Sequence, residues 1–276
     1  MLKQRTLTAL VLAPIGIALI LLLPTAALAV VVGAMCLQAL WEWTRLAGLS
    51  SHPLRAAIIA ANAVLLGLLW VVRDEPLAWL VVAAGIAWWL LALLWMRAFS
   101  WAAAPTPGNA VIKLVAGEFA ILPAWMAMLE LHAGDDRGHV WALLSMMLVW
   151  VADTAAYFAG KRYGTRKLAP RISPNKTTAG AWGALAGAAA LALAAGLLLG
   201  ERGLALAALV GLALLVVGAS IAGDLFESLL KRQAGVKDSG TLFPGHGGLL
   251  DRFDSLFAAI PVFAAGKALL DLAFGT

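Results

Sequence analysis

Charge is scarce in this chain. Only 13% of its 276 residues are Asp, Glu, Lys or Arg, 63% are hydrophobic, and mean hydropathy is +0.91. A soluble domain carries roughly 25% charged residues and about half apolar ones. A water-soluble globular fold is therefore excluded, and the bilayer is the solvent. Cysteine is scarcer still. Cys36 stands alone, which excludes an internal disulfide framework and any multi-cysteine metal site. It lies in an apolar run and is expected to pack. No convincing internal repeat is visible, and the GxxxxGK[ST] pattern of a P-loop is absent.

What the chain has instead is apolar runs of about 20 residues, the length that crosses a bilayer. Nine candidate spans follow one another at about 6–23, 26–44, 54–72, 76–96, 112–131, 139–160, 178–199, 203–224 and 253–273. The fold class is all-α and polytopic. Residues 1–135 form an N-terminal set of spans. Residues 136–276 form a C-terminal region with two polar loops, 161–177 and 225–252. With the N-terminus in the cytoplasm, 16 of the 20 Lys and Arg fall on the cytoplasmic side, 3 on the other, and Lys267 lies inside the last span. That asymmetry fits the positive-inside rule and places both polar loops in the cytoplasm. The basic start and the "ALA" at 27–29 suggest a signal peptide, but the apolar run continues to Leu40, so residues 6–23 are read as a helix. The twelve Trp are expected to form an interfacial belt near span ends. Gly183 and Gly187, at GxxxG spacing in span seven, point to close helix packing.

The polar residues cluster where they are expensive. In "GDLFESLLKRQAGVKD", 223–238, Asp224 stands at the membrane boundary. If span eight continues as a helix, Ser228 shares its face, with Lys231 a turn beyond. In "DRFDS", 251–255, Asp251 and Asp254 are i, i+3 at the start of the last span and are expected to face Asp224. Acids near a helix start also complement its dipole. Three converging carboxylates would suit Mg²⁺, which takes one or two of them and fills its shell with water and substrate phosphates. "FPGHGGLL", 243–250, sets Gly245, Gly247 and Gly248 around His246, a loop whose backbone N–H groups can cradle an anion. The loop 161–177 carries six basic residues within 161–176 and no acid. It ends in "SPNKT", which puts Lys176 and Thr177 at a helix start suited to phosphate. Asp153 lies about two turns inside span six with Tyr157 at i+4, as a polar inner wall. Glu118 and Glu130 in span five are weaker candidates. Carboxylates for a divalent cation, basic residues and a glycine loop together suit phosphoryl or nucleotidyl transfer on a lipid.

These residues also form a recognisable run. Ser228-Leu-Leu-Lys231-Arg232, four residues, Lys237-Asp238-Ser-Gly240, then Pro244-Gly245-His246-Gly247-Gly248-Leu-Leu-Asp251-Arg252-Phe-Asp254-Ser255 closely resembles the signature of phosphatidate cytidylyltransferases, the CDP-diacylglycerol synthases. "GDLFES", "SPNKT" with Gly180, and "DTAAY" at 153–157 resemble further family segments. Thr178-Ala179 stand where the family often has Trp followed by Glu or Gln, so contacts made by those side chains are not carried over. The resemblance implies a membrane enzyme that transfers CMP from CTP to phosphatidate, giving CDP-diacylglycerol and pyrophosphate. It implies dependence on Mg²⁺, with a second cation possible. Asp224, Asp251 and Asp254 become the metal-site acids. Asp224, Asp251, Lys176 and Lys237 become the catalytic set. Ser173, Thr177, Ser228, Lys231, Arg232, Asp238, Gly245, His246, Gly247, Gly248, Arg252 and Asp153 become substrate contacts.

The partners expected are CTP, phosphatidate and the lipid bilayer, with no nucleic acid. A homodimer is left open. The location expected is the inner cell membrane, with the site facing the cytoplasm. The alternative is a CTP-dependent polyprenol or lipid kinase, which would move the γ-phosphate and release CDP. A CDP-alcohol phosphatidyltransferase would need a DGxxAR pattern that this chain lacks. A transporter would favour inverted repeats and a midplane site.

Overall fold

The computed structural model describes residues 13–242 and 247–275. The helices, in chain order, are α1 Ala13–Leu22, α2 Thr25–Leu46, α3 His52–Val71, α4 Pro76–Arg97, α5 Pro107–Ala133, α6 Gly138–Tyr163, α7 Thr178–Leu199, α8 Gly203–Gln233 and α9 Leu250–Phe274. α2 to α9 are each long and apolar enough to cross a membrane. The start of the first expected span lies outside the described residues.

Two features depart from the sequence reading. The loop 161–177 holds a short antiparallel hairpin, β1 Lys167–Ala169 with β2 Ser173–Thr177. The expected loop 225–252 is helical as far as Gln233, because Phe226, Leu229 and Leu230 give the extension of α8 a fully buried apolar face. At 31 residues α8 is about 46 Å long. The apolar slab it crosses is about 30 Å, so its last turns reach beyond the slab and carry Glu227, Ser228 and Lys231 to the boundary.

Local chemistry sets the helix ends. Ser51 accepts from Leu54 N (3.4 Å), Thr106 from Asn109 N (3.2 Å) and Thr177 from Gly180 N (3.1 Å), capping α3, α5 and α7. Pro53, Pro76 and Pro107 stand in the first turns of α3, α4 and α5, where a missing N–H removes no helix bond. α5 is the central helix: 67% of its apolar window is inside the protein, against 22% for α3 and for α7, which face lipid. α9 packs on α2, α4, α5, α6 and α8, so the two halves of the chain share one core. α7 lies close on α6, since a Cβ at Gly183 would strike Ala159 and one at Gly187 would strike Ala155.

The tryptophans are not only a belt. Trp43, Trp89, Trp95, Trp125 and Trp141 are buried. Phe226, fully buried, meets the rings of Trp43, Trp88, Trp89 and Trp95 at 5.2–6.3 Å. The indoles of Trp43, Trp89 and Trp125 donate to Lys113 O, Phe257 O and Ala29 O. Burial of the large ring favours the core, and these carbonyls offset the cost of burying the N–H, whereas the buried Trp88 and Trp141 indole N–H groups find no partner among the described residues.

One end of the bundle gathers the polar chain. The last turns of α2, α4, α6 and α8 meet the hairpin and the first turn of α9 there. Gln233 on α8 donates to Phe99 O and Trp101 O beyond α4 (2.8 and 3.0 Å), and Arg45 on α2 donates to Asp238 O (3.2 Å).

Candidate active site

At that end a cavity of about 700 Å³ opens between α6, α7, α8, α9 and β2. Its lining divides in two. The outer part is charged, with Asp153, Lys161, Lys176, Asp224, Lys231, Asp238, Asp251, Arg252 and Asp254, joined by Tyr157, Asn175 and Thr177. The inner part is apolar, with Val149, Trp150, Ala184, Val217, Ile221 and Leu256.

The charged part is built pairwise. β2 delivers Lys176 just before α7, and its Nζ lies 2.5 Å from Asp224 Oδ2. Asp224 Oδ1 accepts from Ser228 Oγ at 3.3 Å, the i, i+4 pair that a continued α8 requires. Lys231, a turn further, bridges two acids: Glu227 Oε2 and Asp251 Oδ1, each at 2.7 Å. Asp153 and Asp254 are close enough to Asp224 for their charges to interact. Glu227 lies beside Asp254, and its Oε1 is buried with no donor.

Asp251 has a second task. Its Oδ2 accepts from Ser239 N (2.9 Å), Ser239 Oγ (2.9 Å) and Gly248 N (2.7 Å). The glycines make this possible: Gly247 adopts φ +84°, a conformation that side chains disfavour, and a Cβ at Gly248 would meet Glu42 and Ser239. Both Asp251 oxygens are therefore engaged by protein donors.

The structure brings Asp153, Lys176, Thr177, Asp224, Lys231, Asp238, Asp251, Arg252 and Asp254 to one cavity, as the motifs predict. Ser228 is behind the wall and holds Asp224. Gly247 and Gly248 shape the loop around Asp251 rather than lining the cavity. Ser173, Arg232 and Lys237 are outside the lining: Ser173 opens β2, Lys237 is exposed, and Arg232 Nε donates to Ile172 O at 3.5 Å, tying α8 to the hairpin. Gly245 and His246 lie outside the described residues. Glu118 accepts from Asn62 at 2.9 Å between α3 and α5, away from the cavity.

Sequence reasoning missed Glu42, Arg45, Lys161, Asn175, Glu227 and Ser239. Glu227 had a signal, an acid at i+3 from Asp224 and i−4 from Lys231. Glu42 had one too, as an acid in an apolar run, which is a functional pointer by default.

Among the described residues no three of His, Cys, Asp and Glu form a ready-made metal cage. Magnesium does not need one. Donors already serve part of this acid group, with Lys176 and Ser228 on Asp224, Lys231 on Glu227 Oε2 and Ser255 N on Asp254. Glu227 Oε1 is buried without one among the described residues, and an unpaired buried carboxylate oxygen is costly.

A family model described as "Cytidylyltransferase family" matches residues 3–269. A phosphatidate cytidylyltransferase of Pseudomonas aeruginosa is 45% identical over 267 residues, 96% of each chain. One of Haemophilus influenzae is 36% identical over 285 residues, covering 96% of this chain and 98% of its own. One of Bacillus subtilis is 41% identical over 133 residues, about half of each chain. The site motifs, the family model and the two near-full-length likenesses lead to one conclusion: the chain belongs to the cytidylyltransferase family.

Proposed function

We infer that this protein transfers CMP from CTP to phosphatidate, forming CDP-diacylglycerol and pyrophosphate. The observation that carries this reading is the two-part cavity, charged at the bundle end and apolar inside, in a chain whose full-length relatives bear the name phosphatidate cytidylyltransferase. Its charged part suits a phosphate-rich nucleotide, and its apolar part suits the acyl end of a lipid. The basic residues at that end support a cytoplasmic orientation, where CTP is found.

A phosphatidate phosphate oxygen attacks the α-phosphorus of CTP in line. The bond from that phosphorus to the oxygen bridging to the β-phosphate breaks, and pyrophosphate leaves with the electron pair. The nucleophile already carries charge near pH 7, so no strong base is required. The barrier lies in the mutual repulsion of two polyanions. At about 4 Å and an effective dielectric of about 20, one unit pair of charges is worth about 4 kcal/mol. Lys176 and Arg252 stand where they can offset that repulsion, and Lys231 holds Asp251 in place. Asp224 and Asp254, with Glu227 behind them, are the acids that would hold Mg²⁺. When bound, Mg²⁺ would neutralise charge on the CTP phosphates. Asp251, its oxygens engaged by Lys231 and by loop donors, orders the loop.

CTP labelled at either the α- or the γ-phosphorus tests the reading. Label reaching chloroform-extractable lipid from the α position supports it. Label reaching lipid from the γ position, with CDP released, replaces it with the kinase reaction.

A further inference from the structure

We propose that Glu42, on α2, is a positioning residue for the reaction: it latches Ser239, Gly240, Gly248 and the Leu249–Leu250 start of α9 so that Asp251 and Arg252 are presented to the cavity. The proposal rests on the reading of the reaction given above.

Glu42 is 4% exposed, and it lies in the half of the chain that carries none of the signature motifs. Its two carboxyl oxygens are fully engaged. Oε1 accepts from Gln38 Nε2 and Leu249 N, each at 3.0 Å. Oε2 accepts from Leu250 N at 2.8 Å and from Ser239 Oγ at 2.9 Å. Leu249 and Leu250 open α9, whose own N-cap side chain makes no capping bond. Free N–H groups at a helix start need an acceptor and favour an acid. Glu42 supplies it from another helix, 207 and 208 residues away in sequence.

The same carboxyl is wired to the site. Ser239 Oγ lies 2.9 Å from both Glu42 Oε2 and Asp251 Oδ2, so its one hydrogen serves the two acids in turn. Asp251 also accepts from Ser239 N and Gly248 N, and its other oxygen meets Lys231. The link from α2 to the cavity wall therefore runs Glu42–Ser239–Asp251–Lys231. The loop closes tightly on Glu42, since a Cβ at Gly240 or at Gly248 would collide with its carboxyl. Arg45, exposed and three residues along α2, donates to Ser239 O at 2.5 Å and to Asp238 O at 3.2 Å, adding a second clasp. Glu42 does not line the cavity. Its effect reaches the substrates only through the loop and α9.

The test uses full-length protein in detergent. Glu42→Gln keeps size and replaces an acceptor oxygen with an NH₂ that faces N–H donors. The expected result is a kcat at least tenfold lower, KM for phosphatidate changed less than threefold, and faster hydrogen exchange at residues 238–242 and 247–252, with the rest of the described chain unchanged. Paired with Ser239→Ala, its effect should be strongly non-additive, because the two residues act through one link. Arg45→Ala alters an exposed side chain and keeps the test open if the Glu42 variant does not fold. It should lower kcat three- to tenfold and also speed exchange in the loop. Wild-type kcat with unchanged loop exchange in both variants overturns the latch, as do effects of Glu42→Gln and Ser239→Ala that simply multiply. If the wild-type protein forms no CDP-lipid, the reading of the reaction fails, and loop exchange still decides the latch.

Discussion

Lys176→Met is the most informative single perturbation of the charged wall. It keeps an unbranched apolar chain one atom shorter and removes the ammonium with its charge and N–H donors. Lys176 Nζ lies 2.5 Å from Asp224 Oδ2, with the two side chains 25% and 31% exposed. Asp153 and Asp254 stand within electrostatic reach of Asp224. Removing the ammonium leaves three acids facing two incoming polyanions with one cation fewer. A full unit pair would be worth about 4 kcal/mol at an effective dielectric of about 20. Water reaches roughly a quarter of both side chains, and exposed pairs are strongly screened, so about 1.5–3 kcal/mol is the fair range. At 1.36 kcal/mol per tenfold that is a fall of about 10- to 150-fold in kcat/KM for CTP. Pyrophosphate release at sub-saturating CTP reads it directly. Lys176→Arg should recover part of the loss, and the gap between wild type and Lys176→Met should narrow as salt rises. A kcat/KM for CTP within threefold of wild type in Lys176→Met would refute the assignment of Lys176 to the phosphates.

Further outcomes follow from other parts of the structure. Chelation by EDTA should abolish pyrophosphate release and added Mg²⁺ should restore it, whereas full activity in EDTA would remove the divalent cation from the account. Phe226→Ala removes the ring that four tryptophans surround. It should cost about 3–5 kcal/mol, seen as a lower thermal midpoint in detergent. Thr177→Val deletes the cap of α7. It should cost about 1 kcal/mol and lower the thermal midpoint by a few degrees. Gly187→Leu forces α6 and α7 apart at Ala155, so it should lower activity more than it lowers stability.

Much of this was legible before any coordinates. Hydropathy alone finds α2 to α9, because each must bury its backbone hydrogen bonds in a helix to cross the apolar slab. The acids and bases of the cavity were legible because charge at membrane depth is conspicuous. The hairpin was not, since strands of three and five residues leave no alternation to read. The buried tryptophans were not, because composition does not say which indoles will face other helices rather than the interface. Glu42 was hidden for another reason. Apart from Gln38, its partners lie 197 to 208 residues away, and a contact of that range leaves no local pattern. The spacing of Asp251 and Asp254 gave their helix correctly but not their partners. Lys231 and the loop amides engage Asp251, and Asp254 faces Glu227, because the extension of α8 brings Glu227 and Lys231 to the start of α9.

The most direct test of the central claim is pyrophosphate release by purified protein in detergent, supplied with CTP, phosphatidate and Mg²⁺ and then with each omitted in turn. The account predicts release only when all three are present, with one CDP-diacylglycerol formed per pyrophosphate. Pyrophosphate release without phosphatidate, or consumption of CTP with CDP as the soluble product, would contradict it.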